Sequence, residues 1–500
     1  MVGRIARWTG VALLLVLLTL LVLAAMPLPR AEPRFSTPSL IGPVTVVDVE
    51  AQTTRGGQAI AIENGRIARI VPIAALSTAE KAGMRDGGNA FAVPGLWDMH
   101  ALFTRYAAAL EHPLSLAHGI TRTRNILDCP GGRSVSLHPC EPRKARWNAA
   151  VRDGRMLGPL IIGSGTYPVA DATPGEAQAL VRGFPAARRR FGHIKIYDGL
   201  PRASFFALME EARRQGVEVS GHIPTAVAVS EAGEAGVKAI AHARALPIGC
   251  SAREAEIMRL RTAKAPAAQW MKLALESFDP AKCSALWETL RRRGTFVSPT
   301  LITRFNETRE GLDRLSGSPQ ARAATPGLIK FIWQEDEAPI RARGAEEEAV
   351  YRAFYHAAAE RTAEASAAGV RLLAGTDSGD LWVTAGLGLH QEMALWEQAG
   401  IPKAAILRAA TAHPADYFGL GRRLGRLAPG HSADLLLLRA DPFHDLSALR
   451  RPEAVMLEGR LYDRAALDAG VEAAEDAAAS WRYPAHFLRD LLRNPLGFAG

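Results

Sequence analysis

Apolar and polar residues alternate from Gly42 to Ile73, in VTVVDVEAQTT and, after Gly56-Gly57, in AIAIENGRIARIVPI. A period of two marks strands with one buried face, and Asn64-Gly65 between two such runs is a hairpin signal. The same rhythm returns near the other end, in LGRLAPGHSADLLLLRAD and AVMLEGRLYD, with turns at Pro429-Gly430 and Glu458-Gly459. The two pieces predict a small β-sandwich-like domain assembled from both ends of the chain, residues 40–92 and 424–468.

Between them the pattern changes to a helix, a glycine and a short continuous apolar run. Ala203 to Gln215 leads through Gly216 to VEVSGHI, and Ser230 to Ala235 leads through Gly236 to VKAIAH. Ser284 to Arg293 leads through Gly294 to TFVSPTLI, and Glu346 to Ala368 through Gly369 to VRLLAGTDSG. Runs apolar on every position are strands covered on both faces, as in parallel βα architecture. An α/β fold follows, with residues 93–423 forming a (β/α)8 TIM barrel that carries insertions.

The two ends carry different signals. Arg4 and Arg7 precede a run from Val11 to Met26 that is apolar except for Thr19, and Pro27, Pro29 and Arg30 follow it. Residues 1–30 therefore read as a signal peptide, cleaved, or as an uncleaved N-terminal helix anchoring the chain in the membrane. Either way the remainder is expected outside the cytoplasm, periplasmic or anchored to the membrane and facing the periplasm. Residues 469–500 form a helical appendage, in which HFLRDLLRNPLGF sets Phe487, Leu488, Leu491 and Leu492 on one face. That face has a membrane surface, a partner or the protein's own barrel to cover it, and the barrel is the expectation.

At 48% hydrophobic residues the chain is far from a disordered composition. Its net charge of +9 comes from arginine. Arg188 to Arg190 form a dense basic cluster that lacks interleaved aromatics, so the charge reads as a solvated face and no nucleic-acid partner is expected. Four cysteines suit an oxidising compartment, and their order favours Cys129 with Cys140 and Cys250 with Cys283, four buried thiols being the alternative.

Candidate chemistry lies where apolar runs end. VPGLWDMHALF carries Asp98 and His100, HIKIYD carries Lys195, VSGH carries His222, IAH carries His242 and AGTD carries Asp377. Parallel barrel strands all open on one face, so these groups should meet at a single mouth, where imidazole and carboxylate ligands suit zinc and related divalent ions.

From about Pro43 to Leu467 the chain resembles the amidohydrolase superfamily, in its imidazolonepropionase-like and prolidase-like branch. The resemblance rests on VPGLWDMH, HGITRTR, MLGPLIIGSG, HIKIYDGLP, VEVSGHIPTAVAVSEAGEAGVKAIAHA, LLAGTD and LGRLAPGHSADLLLLRADPFHDL. It implies a metal-dependent hydrolase of amide or cyclic amide C–N bonds in small molecules, with one or two divalent ions per chain, zinc foremost. His100 would be the first ligand, Lys195 a carbamylated bridging ligand, and His222 and His242 the ligands of the second ion. Asp377 would complete the set and shuttle a proton for a metal-activated hydroxide. The second histidine of the family's H-x-H would fall at Leu102, which offers no ligand. A weakened binuclear centre, a mononuclear centre and a catalytically degenerate barrel with a binding or structural role in the cell envelope all stay open, and His112 or His118 could fill the gap from a loop. Pro224 stands where the dipeptidases commonly place a carboxylate-binding tyrosine, and Tyr197 lies nearby in HIKIYD. Substrate-binding residues and oligomeric state are left unassigned.

Overall fold

The computed structural model describes residues 8, 9, 11, 15, 18–20, 22–129, 137–166 and 169–493. Its strands in chain order are β1 (Leu40–Asp48), β2 (Thr53–Glu63), β3 (Arg66–Pro72), β4 (Arg85–Pro94), β5 (Leu96–Ala101), β6 (Ile120–Asn125) and β7 (Leu160–Gly165). Then come β8 (Gly192–Ile196), β9 (Glu218–Gly221), β10 (Ala239–Ala241), β11 (Phe296–Ser298), β12 (Leu435–Leu438), β13 (Ala454–Leu457) and β14 (Arg460–Asp463).

One seven-stranded sheet runs β14-β13-β12-β4-β1-β2-β3 and so joins both ends of the chain. Asn64 and Gly65 both have positive φ, at 50° and 74°, the geometry that matches a two-residue turn to the twist of β2 and β3. β4 lies parallel to β1 and antiparallel to β12, and the alternating apolar faces bury Ile41, Val44, Val46, Ile60, Leu435 and Met456 together.

The second sheet is parallel and takes β5 to β11 in sequence order. The stretch 371–374 fills the eighth place: Val297 N–H donates to Arg371 O, Leu373 N–H to Val297 O, and Met99 N–H to Ala374 O. These bonds to β11 on one side and β5 on the other close the barrel. Glycines stop the helices before strands by adopting φ values that L-residues resist, as at Gly216 (62°) and Gly294 (67°). The chain passes from one sheet to the other at Gly95, where a Cβ would lie 2.3 Å from Thr121 Oγ1, so only glycine fits.

β6 is buried along its whole length although its sequence is ITRTRN. Arg122 reaches Asp434 at 2.6 Å and ties the barrel to the first sheet, while the Arg124 guanidinium lies 4.9 Å above the Tyr417 ring. Cys129 is bonded to Cys140 and Cys250 to Cys283.

Part of the run from Val11 to Met26 lies outside the described residues, and among the described residues no helix is long and apolar enough to cross a membrane. The helix Arg482–Arg493 packs along residues 24–27: Arg489 donates to Ala24 O, His486 Nε2 meets Met26 O at 2.8 Å, and Arg482 donates to Pro27 O. The single apolar face expected of this helix is split, because its contacts come from two directions. Phe487 packs beside Tyr483, whereas Leu488 and Leu492 are 38% and 72% exposed.

Candidate active site

The ends of the barrel strands place His100 in β5, Lys195 in β8, His222 after β9, His242 after β10 and Asp377 after the closing stretch. His100, His242 and Asp377 each offer one ligand atom, and these lie within 4.8 Å of one another. His100 Nε2 stands 3.4 Å from Asp377 Oδ1, an ion-pair distance, and His242 Nδ1 stands 3.8 Å from Asp377 Oδ2. His222 joins through its Nε2, 2.8 Å from His242 Nε2.

The backbone is bent to make this possible. His242 and Asp377 have φ of 69° and 59°, left-handed values that non-glycine residues hold only where surrounding structure forces them. The turn at Asp377 is fixed by its N–H donating to His100 O at 2.7 Å, and Gly375 lets the closing stretch approach, since a Cβ there would lie 2.6 Å from His100 Cβ. Asp98 is a strut rather than a ligand: its carboxyl accepts from His100 N–H, Thr376 N–H and Thr376 Oγ1. Burial pushes that carboxyl up to about 6 against those hydrogen bonds.

Burial also sets the charges. It pulls His222 down to about 3, holds His242 well below the usual histidine range, and lowers His100 against the opposing pull of Asp377. Burial thus favours the neutral ring in all three, the form that ligates metals. Burial by itself would raise Asp377, but His100 and Lys195 keep it ionised, well below the usual carboxylate range. Lys195 is lowered to about 8 by burial, with Asp377 opposing and Arg124 and Arg244 adding to the effect.

The residues fit a divalent cation. Both ring nitrogens of His100 are buried without a hydrogen-bond partner among the described residues, beside two further neutral imidazoles and an ionised carboxylate. Leu102 sits beside this group and carries no ligand atom; its N–H lies 3.5 Å from Ser378 Oγ. Neither loop histidine replaces it. His112 is packed between Phe103 and Trp147, with ring centroids at 4.9 and 5.3 Å, and His118 Nδ1 is spent on Leu114 O at 2.8 Å.

Three residues absent from the sequence-based set orient the histidines. Asp198 Oδ1 lies 3.2 Å from His222 Nδ1, Arg244 bonds both Asp198 Oδ2 at 2.6 Å and that same ring nitrogen at 2.8 Å, and Thr300 Oγ1 lies 2.7 Å from His242 Nδ1. Burial alone would raise Asp198, yet its bond to His222 and the charge of Arg244 keep it well below the usual carboxylate range. An acid three residues past Lys195 in HIKIYD was the available signal for Asp198; nothing in the sequence marks Thr300. Tyr197 packs its ring 4.0 Å from that of His222 and remains 38% exposed at the mouth.

Imidazoles and a carboxylate gathered at the C-terminal mouth of a parallel βα barrel place the chain among barrel enzymes with a metal-capable site. The model of the Amidohydrolase family matches residues 199–462, more than half of the sequence, and the chain belongs to that family of hydrolases. No curated protein matches it. Among solved structures it is similar to bottromycin amidohydrolase, at 23% identity over 92% of this chain and 93% of that one, with a TM-score of 0.64. It is also similar to a Xaa-Pro dipeptidase with methionine bound in its active site (17% identity, 85% and 99% covered, TM-score 0.58). A third is molinate hydrolase (15% identity, 87% and 96% covered, TM-score 0.57). At these identities the likeness establishes the fold.

Proposed function

We propose that the chain is a metal-dependent hydrolase that cleaves the C–N bond of an amide or cyclic amide. The observation that carries this reading is the convergence of His100, His242 and Asp377 within 4.8 Å at the barrel mouth, with His222 against His242. His222 and His242 would hold a divalent ion, zinc foremost, with Asp377 and His100 beside it. A bound ion of this kind supplies water deprotonated near neutral pH and a polarised scissile carbonyl.

The protein's own part follows from the charges. Asp377 is ionised and held by the N–H to His100 O bond with its oxygens toward His100 and His242, so it can take a proton from the attacking water and return it to the leaving nitrogen. His222 Nδ1 faces both the Asp198 carboxylate and an Arg244 Nη; in the tautomer that donates Nδ1–H to Asp198, Nε2 keeps its lone pair for an ion. Lys195, lowered to about 8, keeps enough uncharged amine to combine with CO2 as a carbamate. The buried Arg124, whose Nε and one Nη have no hydrogen-bond partner among the described residues, lines the same recess as Lys195 and supports that reading, since it would face the carbamate's negative charge.

The apolar N-terminal run and the two disulfides support export, with the barrel outside the cytoplasm. The direct test is hydrolysis of a panel of aryl amides, dipeptides and lactams by purified protein before and after chelation. Turnover that chelation abolishes and zinc or manganese restores is expected; turnover that survives complete metal removal would contradict the proposal.

A further inference from the structure

A cavity of about 500 Å³ runs from the barrel mouth to the helix Arg482–Arg493, and its walls are apolar: Leu114, Ile329, Val383, Tyr483, Phe487 and Leu491. This volume lies within the ~300–1,000 Å³ of cavities that bury most of a small ligand. Its inner end is formed by Ser378 and Gly379, the two residues that follow Asp377. Among the described residues the single charged one on its lining is Glu111, whose Oε1 accepts from Thr104 N–H while its Oε2 has no partner. Among the described residues no cation lines the space to neutralise a carboxylate, phosphate or sulfonate, and its polar lining outside the aromatic side chains is confined to Glu111 and the hydroxyls of Thr104, Thr325, Ser378 and Thr384.

Leu102 lies beside Gly379, one of the two residues that carry the chain from Asp377 to this cavity. A Cβ placed on Gly379 would lie 3.7 Å from Leu102 O and 3.9 Å from Leu102 Cβ, so the leucine flanks the stretch joining Asp377 to the cavity. The apolar residue at the position that lacks a ligand thus neighbours the stretch linking Asp377 to the apolar space. The outer wall is tied in turn to the apolar N-terminal segment, through the bonds of Arg489, His486 and Arg482 to residues 24–27.

We propose that the substrate carries an apolar group, an aliphatic acyl chain, which fills this cavity while its amide bond lies at Asp377. This rests on the hydrolytic reading above and specifies the substrate class. The polar end of the molecule stays at the mouth near Tyr197 and Arg244, and the chain runs past Leu102 toward Phe487.

The test uses the full chain and N-acyl p-nitroanilides with acyl groups of two, four, six, eight and ten carbons. Burial of a methylene is worth up to about fourfold in binding, so kcat/KM should rise at least tenfold from the shortest to the eight-carbon substrate. Ile329→Trp, at a half-buried helix position, and Leu491→Ser, at the outer end, should each reduce the ratio of eight-carbon to two-carbon rates severalfold. Binding of N-phenyl-1-naphthylamine, a neutral apolar dye, and its displacement by decanamide give a readout free of turnover. Hydrolysis with no dependence on acyl length, unchanged in both variants, would overturn the inference and leave the hydrolase standing. Dye binding displaced by decanamide and weakened in both variants, with no amide cleaved, would support the apolar ligand and overturn the hydrolytic reading instead.

Discussion

His222 and His242 enter the barrel mouth with their rings already held, by Asp198 and Arg244 in one case and Thr300 in the other, whereas His100 on the opposite side has no hydrogen-bond partner on either nitrogen among the described residues. The first side is preorganised by outer hydrogen bonds, and the second pairs an unsupported imidazole with Leu102. The difference teaches that losing one histidine from β5 need not empty the mouth, because the better-oriented ligands come from β9 and β10. It also distinguishes His100 from the other buried, unpartnered ring, His112: aromatic faces surround His112, while a carboxylate and an imidazole surround His100.

The comparison can be broken or sharpened by substitution. The largest effect is expected for Asp377→Asn, which removes the proton carrier: kcat should fall about 10²–10⁴-fold with the fold intact by circular dichroism. Asp198→Asn comes next, because it loosens His222 without touching the ion; zinc affinity in a chelator competition should fall about 10–100-fold, and an unchanged affinity would remove Asp198 from the orienting role. Leu102→His should raise zinc content by up to about one ion per chain while weakening any preference for long acyl groups, and an unchanged count would place position 102 outside the ligand shell.

The smallest effect concerns His112, where the sign follows from its depressed pKa. The unfolded chain protonates this ring as pH falls below about 6.5, while burial delays protonation in the folded state to about 3, so stability is lost as pH falls through that window. His112→Leu should therefore flatten the pH dependence of urea stability between those limits by up to about 1.4 kcal/mol per pH unit. An unchanged slope would mean that the ring is not held neutral by its apolar surroundings.

Much of this was legible because strands buried on both faces write continuous apolar runs, and the residues that end those runs share one mouth: His222 and His242 follow directly from the pattern. Asp377 was legible for the same reason, although LLAGTD hydrogen-bonds into the barrel as the eighth strand through only a few residues. β6 was not legible as a buried strand from its apolar content, since ITRTRN is tolerated inside only because Asp434 waits on the far sheet. Thr300 is equally silent in sequence; its place depends on a left-handed φ of 41° and on Glu392 holding the next two N–H groups, at 2.7 and 2.6 Å. The split face of the helix Arg482–Arg493 depends on a partner at the opposite end of the chain, which helical periodicity alone does not reveal.

Zinc titration of the chelator-stripped chain, followed by competition with a chromophoric chelator, tests the central claim most directly. Wild-type protein and His100→Ala are expected each to retain one tight site, while His222→Ala and His242→Ala lose it. No tight site in the wild type, or one that survives in His222→Ala and His242→Ala but is lost in His100→Ala, would contradict the assignment.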